Sequence, residues 1–234
     1  MSPIELVIII IICYLIGSLP NAYLVSLMVK RINIFEVGSG NMGGTNVARS
    51  LGLGWGIFTV VLDSLKGLIA VATAQYIAAG TLSLSPAVAQ GLPESLLIPS
   101  IAGALAAVAG HNWSFFATAL FTYYHKKFGI RGGKGAATAF GSMVAILPFI
   151  PNVILLVVGI SLAVMTRYAS LSVLTCFTVA FAWVIGWAVV TTGVSNLYIA
   201  YVILLAILIV WRFRENIERL ATGTERRIGE RVEA

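Results

Sequence analysis

Charge is scarce in this 234-residue chain: 10% of the residues are Asp, Glu, Lys or Arg, 59% are hydrophobic, and the mean hydropathy is +0.97. So little polar surface cannot cover a water-soluble domain, and a polytopic membrane protein is expected instead. Cysteine is nearly absent. Cys13 and Cys176 lie far apart inside apolar runs, as small buried hydrophobes do, and give no basis for a disulfide framework. The sequence offers no metal-ligand cluster and no Ser-His-Asp set, so neither a metal nor a cofactor is expected. The N-terminus lacks the basic segment of a signal peptide, and its apolar run is too long for one. It is read as a retained first span.

The long apolar runs define an all-α integral membrane protein, one domain over residues 1–234, a bundle of about seven transmembrane helices. Spans are placed at 4–28, 56–78, 97–120, 136–149, 152–166, 170–190 and 197–211. The fourth and fifth are short, because Pro148 and Pro151 interrupt what would otherwise be one run, and a five-span arrangement with these two re-entrant leaves the same loops cytoplasmic. Fourteen of the fifteen Lys and Arg residues then fall on one side of the membrane, in 30–49, 121–135, 167 and 212–234. By the positive-inside rule that side is cytoplasmic, which puts the N-terminus outside and the C-terminus in the cytoplasm of a plasma (inner) membrane. The net charge of +6 is thus a topology signal with the lipid bilayer as partner, and no nucleic acid is expected. The fifteenth cation, Lys66, stands three residues after Asp63 on one helix face, where the two charges neutralise each other. The loop at 79–96 reads as a plain external connection.

The chain is organised around residues 38–49, G-S-G-N-M-G-G-T-N-V-A-R. Gly38, Gly40, Gly43 and Gly44 free the backbone for positive φ and inward N–H groups, and Ser39, Asn41, Thr45, Asn46 and Arg49 add side-chain donors. That is a surface for a small oxyanion. Gly38, Gly40 and Gly43 also spell G-x-G-x-x-G, with Asp63 downstream. A dinucleotide fingerprint needs a preceding strand in a βαβ unit, however, and none is present, so the match is accidental.

A second polar stretch, F-G-I-R-G-G-K-G-A-A-T at 128–138, shares that face. Gly132, Gly133 and Gly135 surround Lys134, and a helix starting near Ala136 presents its N-terminal dipole to an anion. It is no Walker A loop, since Phe128 and Gly135 stand where Gly and Ser or Thr are required. His111 in the third span lacks an Asp five residues on (residue 116 is Phe), which removes the common His-Asp acyltransferase pairing and sets a hydrogen-bonded structural histidine beside a lone general base as the readings. Arg167, Ser170 and the tail beginning at Trp211, with Arg212, Arg214, Asn216 and Arg219, complete the cytoplasmic side. Such groups suit chemistry that needs positioning and charge stabilisation on phosphorylated substrates. The competing class is a non-enzymatic transporter or scaffold for anionic headgroups, which would call for more polar groups at mid-membrane.

These residues resemble those of the bacterial acyl-phosphate-dependent glycerol-3-phosphate acyltransferases. G-S-G-N-M-G-G-T-N-V-A-R is similar to that family's first motif, G-G-K-G-A-A-T to its second and R-E-N-I-E-R-L-A-T-G-T-E to its third, with D-S-L-K-G at 63–67 and T-R-Y-A-S-L-S at 166–172 also alike. The resemblance implies acyl transfer from acyl phosphate to the 1-hydroxyl of glycerol 3-phosphate, giving lysophosphatidic acid, with a soluble acyl-phosphate-producing enzyme as a further partner. It implies Ser39, Arg49, Lys134 and Asn216 as catalytic, and Gly38, Gly40, Asn41, Thr45, Asn46, Gly132, Gly133, Gly135 and Ser170 as substrate-binding. Two departures stand out. Phe213 replaces the third motif's usual histidine, for which His125 or Arg214 is the expected substitute, and about a dozen residues around Tyr123–Lys127 are inserted before the second motif.

Overall fold

The computed structural model describes residues 1–80 and 92–230, which form ten helices and no strand. Six helical stretches are long and apolar enough to cross a bilayer. The first, Pro3–Lys30, is broken in the middle into α1 (Pro3–Gly17) and α2 (Asn21–Lys30) by Pro20, which has no N–H to give and obstructs the preceding turn. The carbonyls freed there find partners across the bundle: Ser18 O accepts from Ser114 Oγ at 2.6 Å and Leu19 O from Lys66 Nζ at 3.0 Å. Inside a membrane such substitution is obligatory, because no water is at hand.

The short α3 (Gly44–Leu51) carries the end of the first motif, and the long α4 (Leu53–Ala79) follows. The expected third span at 97–120 is two helices, α5 (Glu94–Asn112) and α6 (Phe115–His125). The chain breaks at Trp113, and Ser114 caps the second helix by accepting from Ala117 N at 3.0 Å. The expected fourth span also differs. It is α7 (Ala136–Ile146), apolar but only 11 residues. At ~1.5 Å per residue it covers roughly 16 Å, about half the hydrocarbon core. The remaining spans are α8 (Phe149–Thr166), α9 (Ala169–Val190) and α10 (Leu197–Ala221). Most of the loop expected at 79–96 lies outside the described residues.

Small residues let the helices close on one another. A Cβ on Gly67 of α4 would stand 2.0 Å from Thr138 O, and one on Gly141 of α7 would stand 1.8 Å from Ser64 O, so both positions admit only glycine. The packed groups run through α5, α7, α8, α9 and α10, with separate clusters at α1–α4–α5 and around α2, the first motif and α6. Lys66 and Asp63 pair at 3.0 Å as expected, both buried, and Asn21 Nδ2 adds a hydrogen bond to Asp63 at 3.0 Å. Both cysteines are free thiols bonded to backbone carbonyls, Cys13 to Ala70 and Cys176 to Leu155.

Candidate active site

The first motif is a loop that Asn46 ties from within. Its buried amide donates to the carbonyls of Ile34, Val37 and Asn41 at 3.0–3.3 Å, and its Oδ1 accepts from Ser39 N at 3.0 Å. Asn46 therefore shapes the loop from below and has no donor left over. Two of the four glycines take positive φ, Gly38 at 63° and Gly40 at 64°. Gly43 and Gly44 do not. Gly43 is extended at −149°, and Gly44 opens α3, pressed so tightly on α4 that a Cβ would meet Gly56 O at 2.7 Å. Ser39 on the loop and Thr45 in the first turn of α3 are exposed, and Ser39 Oγ accepts weakly from Asn41 N at 3.4 Å.

The second motif turns on close contact with the end of α5. Gly133 N donates to His111 O at 2.9 Å, and a Cβ at Gly133 would lie 2.0 Å from His111 Nε2. His111 is thus a wall behind the loop, with its Nδ1 3.8 Å from Asp63 Oδ1. Gly135 has φ 76° and stands before α7, whose N-terminus has no side-chain cap and keeps its first N–H groups free for an anion.

Three cross-connections bring the motifs together. Met42 N donates to Gly132 O at 3.4 Å, linking the first to the second. Arg212 donates through Nε and a terminal nitrogen to Gly133 O at 3.1 and 2.6 Å, and Lys134 Nζ donates to Asn216 Oδ1, linking the second to the third. Arg49 reaches Arg226 O at 3.5 Å, linking the first to the segment after the third. Glu225 anchors this end by accepting from Asn216 Nδ2 and Arg219 Nε, each at 3.0 Å. Lys134 and Arg49 share Arg219 and Glu225 as charged neighbours.

This concentration of positive charge is costly without an anion. Burial first, and Arg219 second, push the Lys134 ammonium down to about 8, against the opposing pull of Glu225 and Glu215. Burial, then Arg226, also lowers the Arg49 guanidinium. Both cations gain from an incoming dianion. Between the first two motifs lies a cavity of about 290 Å³ whose wall includes Asn41, Asn112, Trp113, Ile130, Arg131 and Arg212.

Lys134 and Asn216 are thus in direct contact, and Arg49 shares the charged neighbours Arg219 and Glu225 with Lys134. Ser170 is buried with its hydroxyl unpartnered, and no hydrogen bond joins it to them. Neither expected substitute for the missing imidazole is in place. His125 stacks on Phe121 and faces Glu36 at 3.3 Å, while Arg214 is exposed and bonds Trp211 O. Phe213 itself is at the centre, with Lys134 Nζ 5.1 Å from its ring centroid. Sequence reasoning placed Arg212 and Arg219 on the cytoplasmic side without a specific role and did not single out Glu225. Helical spacing carried the signal for Arg212, four residues before Asn216 on one face of α10.

Comparison with known proteins agrees with this geometry. The sequence profile of the glycerol-3-phosphate acyltransferase family matches residues 7–223. A glycerol-3-phosphate acyltransferase of Halalkalibacterium halodurans is 35% identical over 94% of each chain, and one of Thermus thermophilus is 38% identical over 96% of each. Two crystal structures of PlsY, an integral membrane glycerol 3-phosphate acyltransferase, in its glycerol 3-phosphate and lysophosphatidic acid forms, superpose with TM-scores of 0.71 and 0.70 at 31% identity, covering 96% of both chains. With its three motifs meeting at one end of a helical membrane bundle and its relatives alike over nearly their whole length, the chain belongs to the glycerol-3-phosphate acyltransferase family.

Proposed function

We propose that this acyltransferase of phospholipid synthesis moves a fatty acyl group from acyl phosphate to the 1-hydroxyl of sn-glycerol 3-phosphate, releasing lysophosphatidic acid and phosphate. The observation that carries the reading is the meeting of all three motifs around Lys134, which gathers cations and free helix N–H groups at one place. A mixed anhydride is already activated, so positioning and charge stabilisation suffice. The hydroxyl oxygen bonds to the acyl carbon, the bond from that carbon to the bridging phosphate oxygen breaks, and phosphate leaves. The hydroxyl proton passes to a phosphate oxygen.

In this scheme Arg49 and Lys134 neutralise the phosphate of glycerol 3-phosphate, and Asn216 orients Lys134. Ser39, Asn41 and Thr45 hold polar groups of the substrates on the loop shaped by Gly38, Gly40 and Asn46. The backbone of Gly132, Gly133 and Gly135 faces the developing charge, and Ser170 completes the glycerol-phosphate pocket. The basic end of the bundle faces the cytoplasm of a plasma (inner) membrane, where a soluble enzyme supplies acyl phosphate. Purified protein assayed with glycerol 3-phosphate and, in turn, acyl phosphate, acyl-CoA and acyl carrier protein is expected to turn over with the first alone. Turnover confined to the thioesters would refute the donor.

A further inference from the structure

Past α10 the chain is neither helix nor strand, and such a stretch keeps one place only where other elements hold it. Gly223, at φ 71°, ends the helix in a Schellman turn, with its own N–H on Leu220 O at 3.3 Å and Thr224 N on Arg219 O at 2.8 Å. The turn lays the buried Glu225 carboxylate back on Asn216 and Arg219 of α10. From there residues 226–230 run as a strap past α3 to the turn between α8 and α9. Arg226 O accepts from Arg49 at 3.5 Å, and Arg227 Nε donates to the Tyr168 hydroxyl at 3.3 Å.

Arg167 is the anchor of this strap. Its carbonyl accepts from Ile228 N at 2.6 Å, and its guanidinium returns Nε and a terminal nitrogen to Ile228 O at 3.1 and 2.8 Å, a charge-assisted pair from one planar fork. The bonds inside the strap only join Arg227 to Glu230 and tie it to nothing else. Without the anchor, Glu225 stands at the root of a loose tail. What it would lose matters at the centre. Asn216 gives Nδ2 to Glu225 and takes Lys134 Nζ on Oδ1, so the carboxylate fixes which way the amide faces. It also neutralises Arg219, whose charge opposes that of Lys134.

We propose that Arg167 is a positioning residue for acyl transfer: its clamp on Ile228 seats the strap, the strap seats Glu225 on Asn216, and Asn216 aims Lys134 at the substrate phosphate. That this phosphate belongs to glycerol 3-phosphate rests on the function proposed above. The coupling from Arg167 does not. The T-R-Y-A-S-L-S stretch at 166–172 thereby bears on turnover through a residue outside the cationic centre.

The full-length Arg167→Gly protein in nanodiscs tests this. Arg167 ends α8 at φ 60°, where glycine is at ease, so the variant loses the guanidinium without straining the turn and should keep a Tm near that of the wild type. The KM for glycerol 3-phosphate is expected to rise about tenfold, with kcat and the KM of the acyl donor each changed less than about threefold. The alkaline fall of kcat/KM should also begin about half a unit lower. Lys134 is buried and faces Arg219 and Arg212 against Glu225 and Glu215, so displacing Glu225 removes one of the two carboxylates that favour its charge. Arg167→Lys, which keeps a cationic donor, should recover part of the loss. In a Glu225→Gln chain, Arg167→Gly should add less than about twofold, since both act through one contact. A wild-type KM and pH profile in Arg167→Gly, or losses that multiply in the double variant, would overturn the role of Arg167. A non-additive loss that falls on the KM of the acyl donor would refute the assignment of Lys134 to glycerol 3-phosphate and leave the coupling standing.

Discussion

Lys134 sets the pH response of the centre. With its ammonium pushed down to about 8, it is charged below that pH and neutral above it, so kcat/KM for glycerol 3-phosphate should fall as pH rises through about 8. Stability should move the other way. Below about 8 the folded chain holds a charge that burial disfavours. Between there and the unfolded value of about 10.4 only the unfolded chain keeps the proton, so that penalty relaxes as pH rises. Opposite slopes of activity and Tm across this window identify the group, and Lys134→Arg should carry the activity limb to higher pH. Arg49→Ala and Lys134→Ala should each lower turnover more than about tenfold, since a charge-assisted hydrogen bond contributes about 1.5–3 kcal/mol. The exposed Lys126→Ala and Lys127→Ala should keep most activity. Phe213 already offers its ring to Lys134. Phe213→His should therefore be tolerated and lower the KM for glycerol 3-phosphate modestly, whereas a rise in kcat of roughly 10²-fold would mean that a general base had been restored. Motif order made Arg49, Lys134 and Asn216 legible in the sequence. The inward role of Asn46 was not, because a side-chain amide reads alike whether it faces a ligand or its own loop.

Among the elements, the second motif depends on the end of α5. Gly133→Ala would press a methyl group into His111 Nε2, and overpacking of this kind costs about 1–3 kcal/mol. The loop would then shift away from Arg212 and Lys134, so activity should fall further than Tm, as turnover and thermal unfolding measured on one preparation would reveal. The break between α5 and α6 was readable as an N-cap at Ser114, but hydropathy runs straight through it. The excursion that follows returns to its origin, with Ser114 N bonded to Arg131 O at 2.9 Å. The segment at 136–149 is shorter in the structure than its apolar window, α7 having 11 residues. An apolar window reports the environment of a segment and not whether it reaches the far side, and α7 is held by contact with α4 through Gly67 and Gly141 rather than by its own length.

For the molecule as a whole, the buried Asp63–Lys66 pair is the main electrostatic demand inside the bundle. Lys66→Met alone leaves the carboxylate without its cation, beside Asn21 and, at 3.8 Å, the His111 ring, and should destabilise by about 3–5 kcal/mol, while the Asp63→Asn, Lys66→Met double variant should recover much of that loss in thermal unfolding. The same pair bears on how the chain enters the membrane during synthesis. Its two charges sit on one helix, and the groups that hydrogen-bond them, Leu19 O and Asn21, belong to a segment translated earlier. When α4 leaves the translocon, every partner that it needs is already made. Its insertion does not wait on α5, and His111 arrives afterwards at a site already neutral.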